Sequence, residues 1–128
     1  MLTVHIQNIG DMAFIECQGR IVRSEAAFEL RKAVLSQGNA RTIVLDLTEV
    51  HAIEGGGLGM LAVLQKWAFN QGIQLKLFNP TFAVKNTLEH NEWMHFDLAS
   101  FEEVMALMAR AENQYPKADF GFLPGTKA

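Results

Sequence analysis

The sequence predicts an α/β fold: a mixed, mainly parallel β-sheet with an antiparallel N-terminal edge and about four α-helices. Three observations predict it. Short apolar runs of strand character alternate with segments of helical period through most of the chain, and that alternation implies parallel strands joined by right-handed crossovers. The first two strand-like runs are separated only by the turn-like stretch Gln7 to Asp11, which suits a hairpin. The chain has 128 residues, 49% of them hydrophobic, enough for one domain with a sizeable core.

In order, residues 2–6 (LTVHI) and 12–17 (MAFIEC) are the hairpin strands, and Gly19 breaks the second. Ser24 is placed to cap a helix over 25–37, with Glu25 in its first turn, where a negative charge suits the helix dipole. Ala27, Leu30 and Val34, with Phe28 and Leu35 beside them, recur at helical spacing, and Gly38-Asn39 is read as a left-handed stop. Residues 43–47 (IVLDL) form a short run apolar enough to be buried on both faces. Residues 58–70 make a second helix, stopped by Gln71-Gly72, and 73–78 (IQLKLF) a half-wet strand. Asn79-Pro80 reads as an N-cap asparagine with proline at the first helical position, opening a helix that runs to His90, with Asn91 as C-cap. A short last strand is expected around His95-Phe96. Ser100 to Glu103 matches a capping box before a helix over 101–114, whose apolar side carries Phe101, Val104, Met105, Met108 and Ala111. Residues 1–114 are thus one domain. The tail, 115–128, holds Phe120, Phe122 and Leu123 and is expected to be mostly mobile, with docking on the domain or on a second copy as the other reading.

Composition excludes several functions. The net charge is −3 with both signs interspersed, so no basic block exists to hold a phosphate backbone, and no nucleic-acid partner is expected. Cys17 is the only cysteine, which rules out an internal disulfide or a cysteine zinc cluster. The first twenty residues include Asp11 and Glu16 and lack a signal-peptide pattern, and no window approaches the ~18 apolar residues of a membrane span. A cytoplasmic protein is the expectation.

The most unusual stretch is IEGGGLGM, residues 53–60. Glycine is about 0.5–1 kcal/mol worse than alanine inside an element, so four in five positions need a reason. A phosphate site is one candidate, since a strand-to-helix junction presents free N–H groups. Gly57, Gly59 and Ala62 even spell G-x-G-x-x-A, but Thr48 to Glu54 intervene after the strand and residues 77–82 lack the acidic residue of a dinucleotide fingerprint. No lysine follows as in a P-loop. Catalysis and metal binding fare worse. His51 and Glu54 make a lone H-x-x-E pair, and His5, His90 and His95 are scattered. Cys17 reads as a small core hydrophobe. Asp46, inside an apolar run, should accept hydrogen bonds near the strand end and hold the turn that follows. No metal and no cofactor is implied.

The helix after the glycines says more. One side, Leu58, Leu61, Leu64 and Ala68, can pack on the sheet. The other begins with Gly56, Gly59, Met60 and Val63 and turns polar only at Lys66. A helix on a sheet face should be polar outside along its whole length. An apolar patch beside a flat glycine surface suits protein docking, while a neighbouring helix or the tail covering the patch explains it equally well.

The run from Thr42 to Glu89 resembles a STAS domain, the fold of anti-sigma-factor antagonists and of sulphate-transporter cytoplasmic domains. The strand ending Asp46-Leu47, Ile53, Glu54, Gly57-Leu58-Gly59 opening a helix, and Asn79-Pro80 carry the resemblance, with Gly19, Ile21 and the capped last helix; it covers about residues 2–112. It implies a STAS-like fold without catalytic activity. In that family the loop typically reads D-S-S-G or D-S-T-G, and a partner anti-sigma kinase phosphorylates the second hydroxyl residue. By resemblance Glu54 stands at the acidic position, Gly55 at the first hydroxyl and Gly56 at the phosphoacceptor; the nearest hydroxyl, Thr48, lies eight residues earlier. The switch is removed.

The resemblance therefore implies a partner-switching regulator that binds an anti-sigma factor or related kinase-like protein through loop 51–57 and the start of helix 58–70. The residues expected in contact are Glu54, Gly55, Gly56, Gly57, Gly59, Met60, Val63 and Lys66. Phosphorylation would add about −1.5 to −2 charges to such a surface, so its loss implies constitutive binding. Glu54 as a fixed imitation of the phosphorylated state is disfavoured, because active family members already carry an acid there. Two other readings stand: a STAS subunit of a larger machine, stressosome-like or a lipid-transport ATPase complex, and a nucleotide or small-molecule domain using the helix N-terminus. A homo-oligomer is compatible with all of them.

Overall fold

Eight residue pairs, from Leu2 with Gly19 to Ile9 with Met12, join β1 (Leu2–Ile9) to β2 (Met12–Ile21) as the expected antiparallel hairpin. Gly10 turns it at φ 58°, a left-handed value that glycine adopts without strain. The structure, a computed structural model, describes residues 2–22, 25–91 and 94–113. After the hairpin come α1 (Glu25–Leu35), β3 (Thr42–Ile53), α2 (Gly57–Asn70), β4 (Gln74–Phe78), α3 (Phe82–Glu89), β5 (Leu98–Ala99) and α4 (Phe101–Glu112). The sheet order is β1-β2-β3-β4-β5, with β2 to β5 all parallel. This is the mixed fold the sequence predicts.

Each sheet face has its own core. Ile15, Leu45, Leu47 and Leu77 point toward one face, where Leu30 and Val34 of α1, Leu61 and Leu64 of α2, and Val84 and Leu88 of α3 cover them. Met12 and Val44 point to the other, where among the described residues α4 is the helix that covers them, through Val104 and Ala111. Ile43, Val44 and Leu45 are all fully buried, so consecutive residues of β3 feed alternate cores, as a strand buried on both faces must. At the carboxyl side of the α4 face the sheet turns polar, and Glu16 and Gln18 are exposed.

Lys76 fastens α4 to the sheet. Its ammonium reaches Asp97 at 2.9 Å and Glu103 at 2.8 Å while its side chain is only 12% exposed. Burial lowers its pKa, but the hydrogen bonds to Glu103 and Asp97 outweigh burial and raise it above the ordinary 10.5. A raised lysine value stabilises the fold below the unfolded pKa and ceases to do so as pH climbs through the folded one. Lys76→Met should therefore lower unfolding stability by about 1–2 kcal/mol at neutral pH. Urea titrations should show that deficit shrinking above about pH 10.5; a deficit that persists undiminished would contradict the ion-pair account.

Several expectations are corrected. Thr48 to Glu54 is not a loop after the strand, since β3 continues to Ile53. It remains paired because β2 follows it through two register shifts, between Glu16 and Gln18 and between Gly19 and Arg20. Gly19, at φ 120°, therefore sits at a bulge, and β2 runs on to Ile21. Gly38 and Asn39 do not take left-handed values; α1 ends by backbone bonds from Ser36 to Lys32 and from Gln37 to Val34. Asn79 is not the cap of α3. It sits at φ 53°, and Thr81 caps instead, accepting from the Val84 amide. Asn91 is likewise not the C-cap, which is His90; its side chain donates to the Leu88 carbonyl. The last strand is Leu98–Ala99 rather than His95-Phe96. On α4 the buried side is Val104 and Ala111, flanked by Leu107 and Met108, while Phe101 and Met105 are exposed. Only half of the capping box forms: Ser100 accepts from the Glu103 amide, and the Glu103 carboxylate goes to Lys76. The Ser24 cap, the Ala27 side chain and the tail, 115–128, lie outside the described residues.

Candidate functional site

Where β3 ends, the Glu54 amide donates to the Ile21 carbonyl at 2.9 Å, and the Gly57 amide returns to the Glu54 carbonyl at 2.9 Å. This is a four-residue turn. Gly55 takes φ 58° at its first central position and Gly56 takes φ −81°, ψ 3° at the second, values that match a type II′ turn. Gly55 is required by its positive φ. Gly57 is required by contact: a Cβ there would lie 2.4 Å from the Ile21 carbonyl oxygen and 3.0 Å from its carbon. Gly56 has a backbone conformation open to any residue, and a Cβ on Gly59 would meet nothing within 4 Å. Gly55 and Gly57 thus build the corner, whereas Gly59 leaves the surface low without steric need and Gly56 without need in its backbone dihedrals.

Past the corner, α2 presents Val63, 60% exposed, and Lys66, also exposed, on the same outer ridge as Gly59. Met60 is half-buried and packs against the core, as Trp67 does. Gly57 is buried. The predicted contact set therefore divides. Glu54, Gly55, Gly59, Val63 and Lys66 border the outer surface with part of Gly56 and Met60, whereas Gly57 supports them from beneath. The helix start has no side-chain cap, and its first turn carries no acidic residue.

Sequence reasoning missed Arg20. Its guanidinium pairs with the Glu54 carboxylate beside the corner, both groups half-exposed. Only the parallel pairing of β2 with β3 and its two shifts bring residues 20 and 54 together, so no linear motif signals it. Such an exposed pair contributes little stability, but it places a positive charge against the one negative charge of the loop.

The remaining candidates are structural. Asp46 accepts from the Thr48 amide at 3.0 Å and from its hydroxyl at 2.5 Å, and Asn79 donates to that hydroxyl at 3.0 Å. This network holds β3 to the end of β4 and gives Asn79 a partner in its unusual conformation. Cys17 is buried, and burial, reinforced by the Asp46 charge, pushes its thiol up to about 12. No group of three or more potential metal ligands exists among the described residues. Cavities of about 620, 320 and 230 Å³ are lined by residues such as Met94, Phe101 and Arg110, away from the glycines. Among the described residues no helix is long and apolar enough to cross a membrane.

Residues 4–110 match the STAS domain family model. The chain belongs to the STAS family. The fold agrees with solved members. An anti-sigma factor antagonist from Mycobacterium paratuberculosis superposes with TM-score 0.69 at 13% identity, covering 85% of this chain and 95% of that one. The anti-sigma factor antagonist SpoIIAA in its unphosphorylated form gives 0.63 at 14% identity, covering 84% and 98%. The same Bacillus protein in its phosphorylated form gives 0.61 at 16% identity, covering 82% and 98%. The murine anion transporter Slc26a9 gives 0.66 at 17% identity, covering 81% of this STAS chain but 18% of the transporter. At these identities the likeness is one of fold. Comparison with curated proteins gives no match.

Proposed function

We propose that this STAS domain is a non-catalytic protein-interaction regulator of the anti-sigma-factor-antagonist type. It docks an anti-sigma factor or related kinase-like protein through residues 51–57 and the start of α2, in a cytoplasmic, bacterial partner-switching pathway that regulates transcription. One observation carries the reading: Gly59 keeps the ridge beside the corner low although a Cβ there would meet nothing within 4 Å, and Gly56 does so with a backbone conformation that any residue could adopt. A surface lowered without local need fits close approach by another chain. The pairing of Glu54 with Arg20 speaks against Glu54 as an imitation of phosphate, because its charge is already answered. Among the described residues, the three cavities above are lined by none of Gly55, Gly56, Gly57 and Gly59, and so lend the nucleotide reading no support. The likeness to a region within Slc26a9 favours, as a second reading, a module or subunit of a larger assembly.

In this reading the contact is not switched by phosphate at Gly56. The purified chain, incubated with its recovered kinase-like partner and ATP, is expected to take up no phosphate. Gly56→Ser, at a position whose backbone suits serine, should fold normally and become a substrate. Phosphoryl transfer onto the wild-type chain would overturn the phosphorylation-blind part. Recovery of a transport ATPase in place of a GHKL-type kinase from the native cell would favour the second reading.

A further inference from the structure

The outer edge of β1 is long and unguarded. Among the described residues its backbone has no partner except β2, so alternate N–H and C=O groups face outward along eight residues. Edge strands are usually protected by shortness, lysine, proline or a bulge. β1 reads LTVHIQNI, with no lysine, no proline and no formally charged residue. Both register shifts lie between β2 and β3, so β1 itself is regular. The opposite rim, by contrast, is a strand of two residues.

We propose that this edge pairs with the same edge of a second copy, antiparallel about a two-fold axis, joining two five-stranded sheets into one continuous sheet. Charge favours a copy of this chain as the occupant. A neutral strand meets itself without repulsion, and Glu16, opposite His5, lies one strand inward. The two Glu16 residues would stand three strand spacings apart, about 14 Å, beyond the screening length of about 8 Å.

Side-chain alternation fixes the register. Val4 and Ile6 lie beside Cys17 and Ile15 over the larger core, whereas Thr3, His5 and Gln7 are exposed on the other face. Pairing must oppose even positions to even and odd to odd, or apolar residues would face polar ones. Setting His5 against His5 of the second copy does this, with Val4 opposite Ile6 and Thr3 opposite Gln7. The isologous contact then buries Val4 and Ile6 further on both sides.

Sedimentation of the full chain tests this. The wild type is expected to dimerise at about 10–100 μM. Thr3 and Gln7 are exposed, so the double variant T3K/Q7K should melt as the wild type does yet dimerise about tenfold or more weakly, because like charges then oppose one another. An equal mixture of T3K/Q7K and T3E/Q7E should recover a heterodimer. Independently of any variant, hydrogen exchange of the wild type should show concentration-dependent protection of β1 amides. A chain that stays monomeric, a dimer that neither charge pair alters, or protection confined to α2 or to residues 114–128 would each overturn the proposal.

Discussion

Gly57→Ala should lower the unfolding free energy by about 2–3 kcal/mol, the cost of forcing extra volume into a filled site. The new methyl would meet the carbonyl of Ile21 at 2.4 Å. That carbonyl is a strand atom already accepting the Glu54 amide, so neither a rotamer change nor a small loop shift relieves the overlap. Alanine's better helix propensity, about 1 kcal/mol in an interior and less at a first position, opposes the loss and does not cancel it. Gly59→Ala supplies the contrast, because nothing lies within 4 Å of its Cβ and the helix should gain up to about 1 kcal/mol. Chemical denaturation of the two variants checks both signs together. A Gly57→Ala protein as stable as wild type would mean that the corner is looser than described.

The second large effect concerns binding. Val63→Asp should weaken the proposed partner complex by about a hundredfold or more, close to 3 kcal/mol. Lost valine contacts do not supply that number, since valine is seldom a dominant anchor. Most of it comes from forcing a carboxylate into a surface stripped of water. Val63 is 60% exposed in the free chain, so the fold should tolerate the change, and an unaltered melting temperature is the control. Val63→Thr, of similar size and uncharged, should cost far less. Met60 is a poorer probe, because it also packs on the core and a charge there would unfold the first turn of α2. Titration calorimetry with the recovered partner decides the matter, and unchanged affinity in Val63→Asp would move the interface elsewhere.

Much of the fold was legible in the sequence. The run Ile43 to Leu47 announced a central strand because both of its faces are covered. The helix over 58–70 was visible from Leu61, Leu64 and Ala68 at one spacing, although it starts one residue earlier, at Gly57. The continuation of β3 was not legible, since Thr48, Glu49 and His51 are polar and exposed and are held by bulged pairing to β2 rather than by burial. Asn79 was misread because asparagine before proline serves a cap as readily as a left-handed turn; only Thr48, 31 residues away, decides between them. On α4 the helical period was plain, but Phe101 and Met105 are as apolar as the residues that do pack, and a one-faced stripe read from letters cannot tell which edge meets the sheet. At the candidate site the glycines stood out by composition. Their division into required and unrequired ones emerged only from dihedral angles and the neighbouring Ile21 carbonyl.

Between the pairs Glu16–Asp46 and Ile21–Ile53, β3 spends two more residues than β2. Those extras work as a shim: they set how far the rim of the sheet overhangs, and so where Arg20 meets Glu54 and where Ile21 presses on Gly57. The orientation of the glycine turn is accordingly governed by a count of residues as well as by their identity. Shortening the segment by one would reverse the inward and outward sides of everything downstream as far as Ile53, even with every glycine kept.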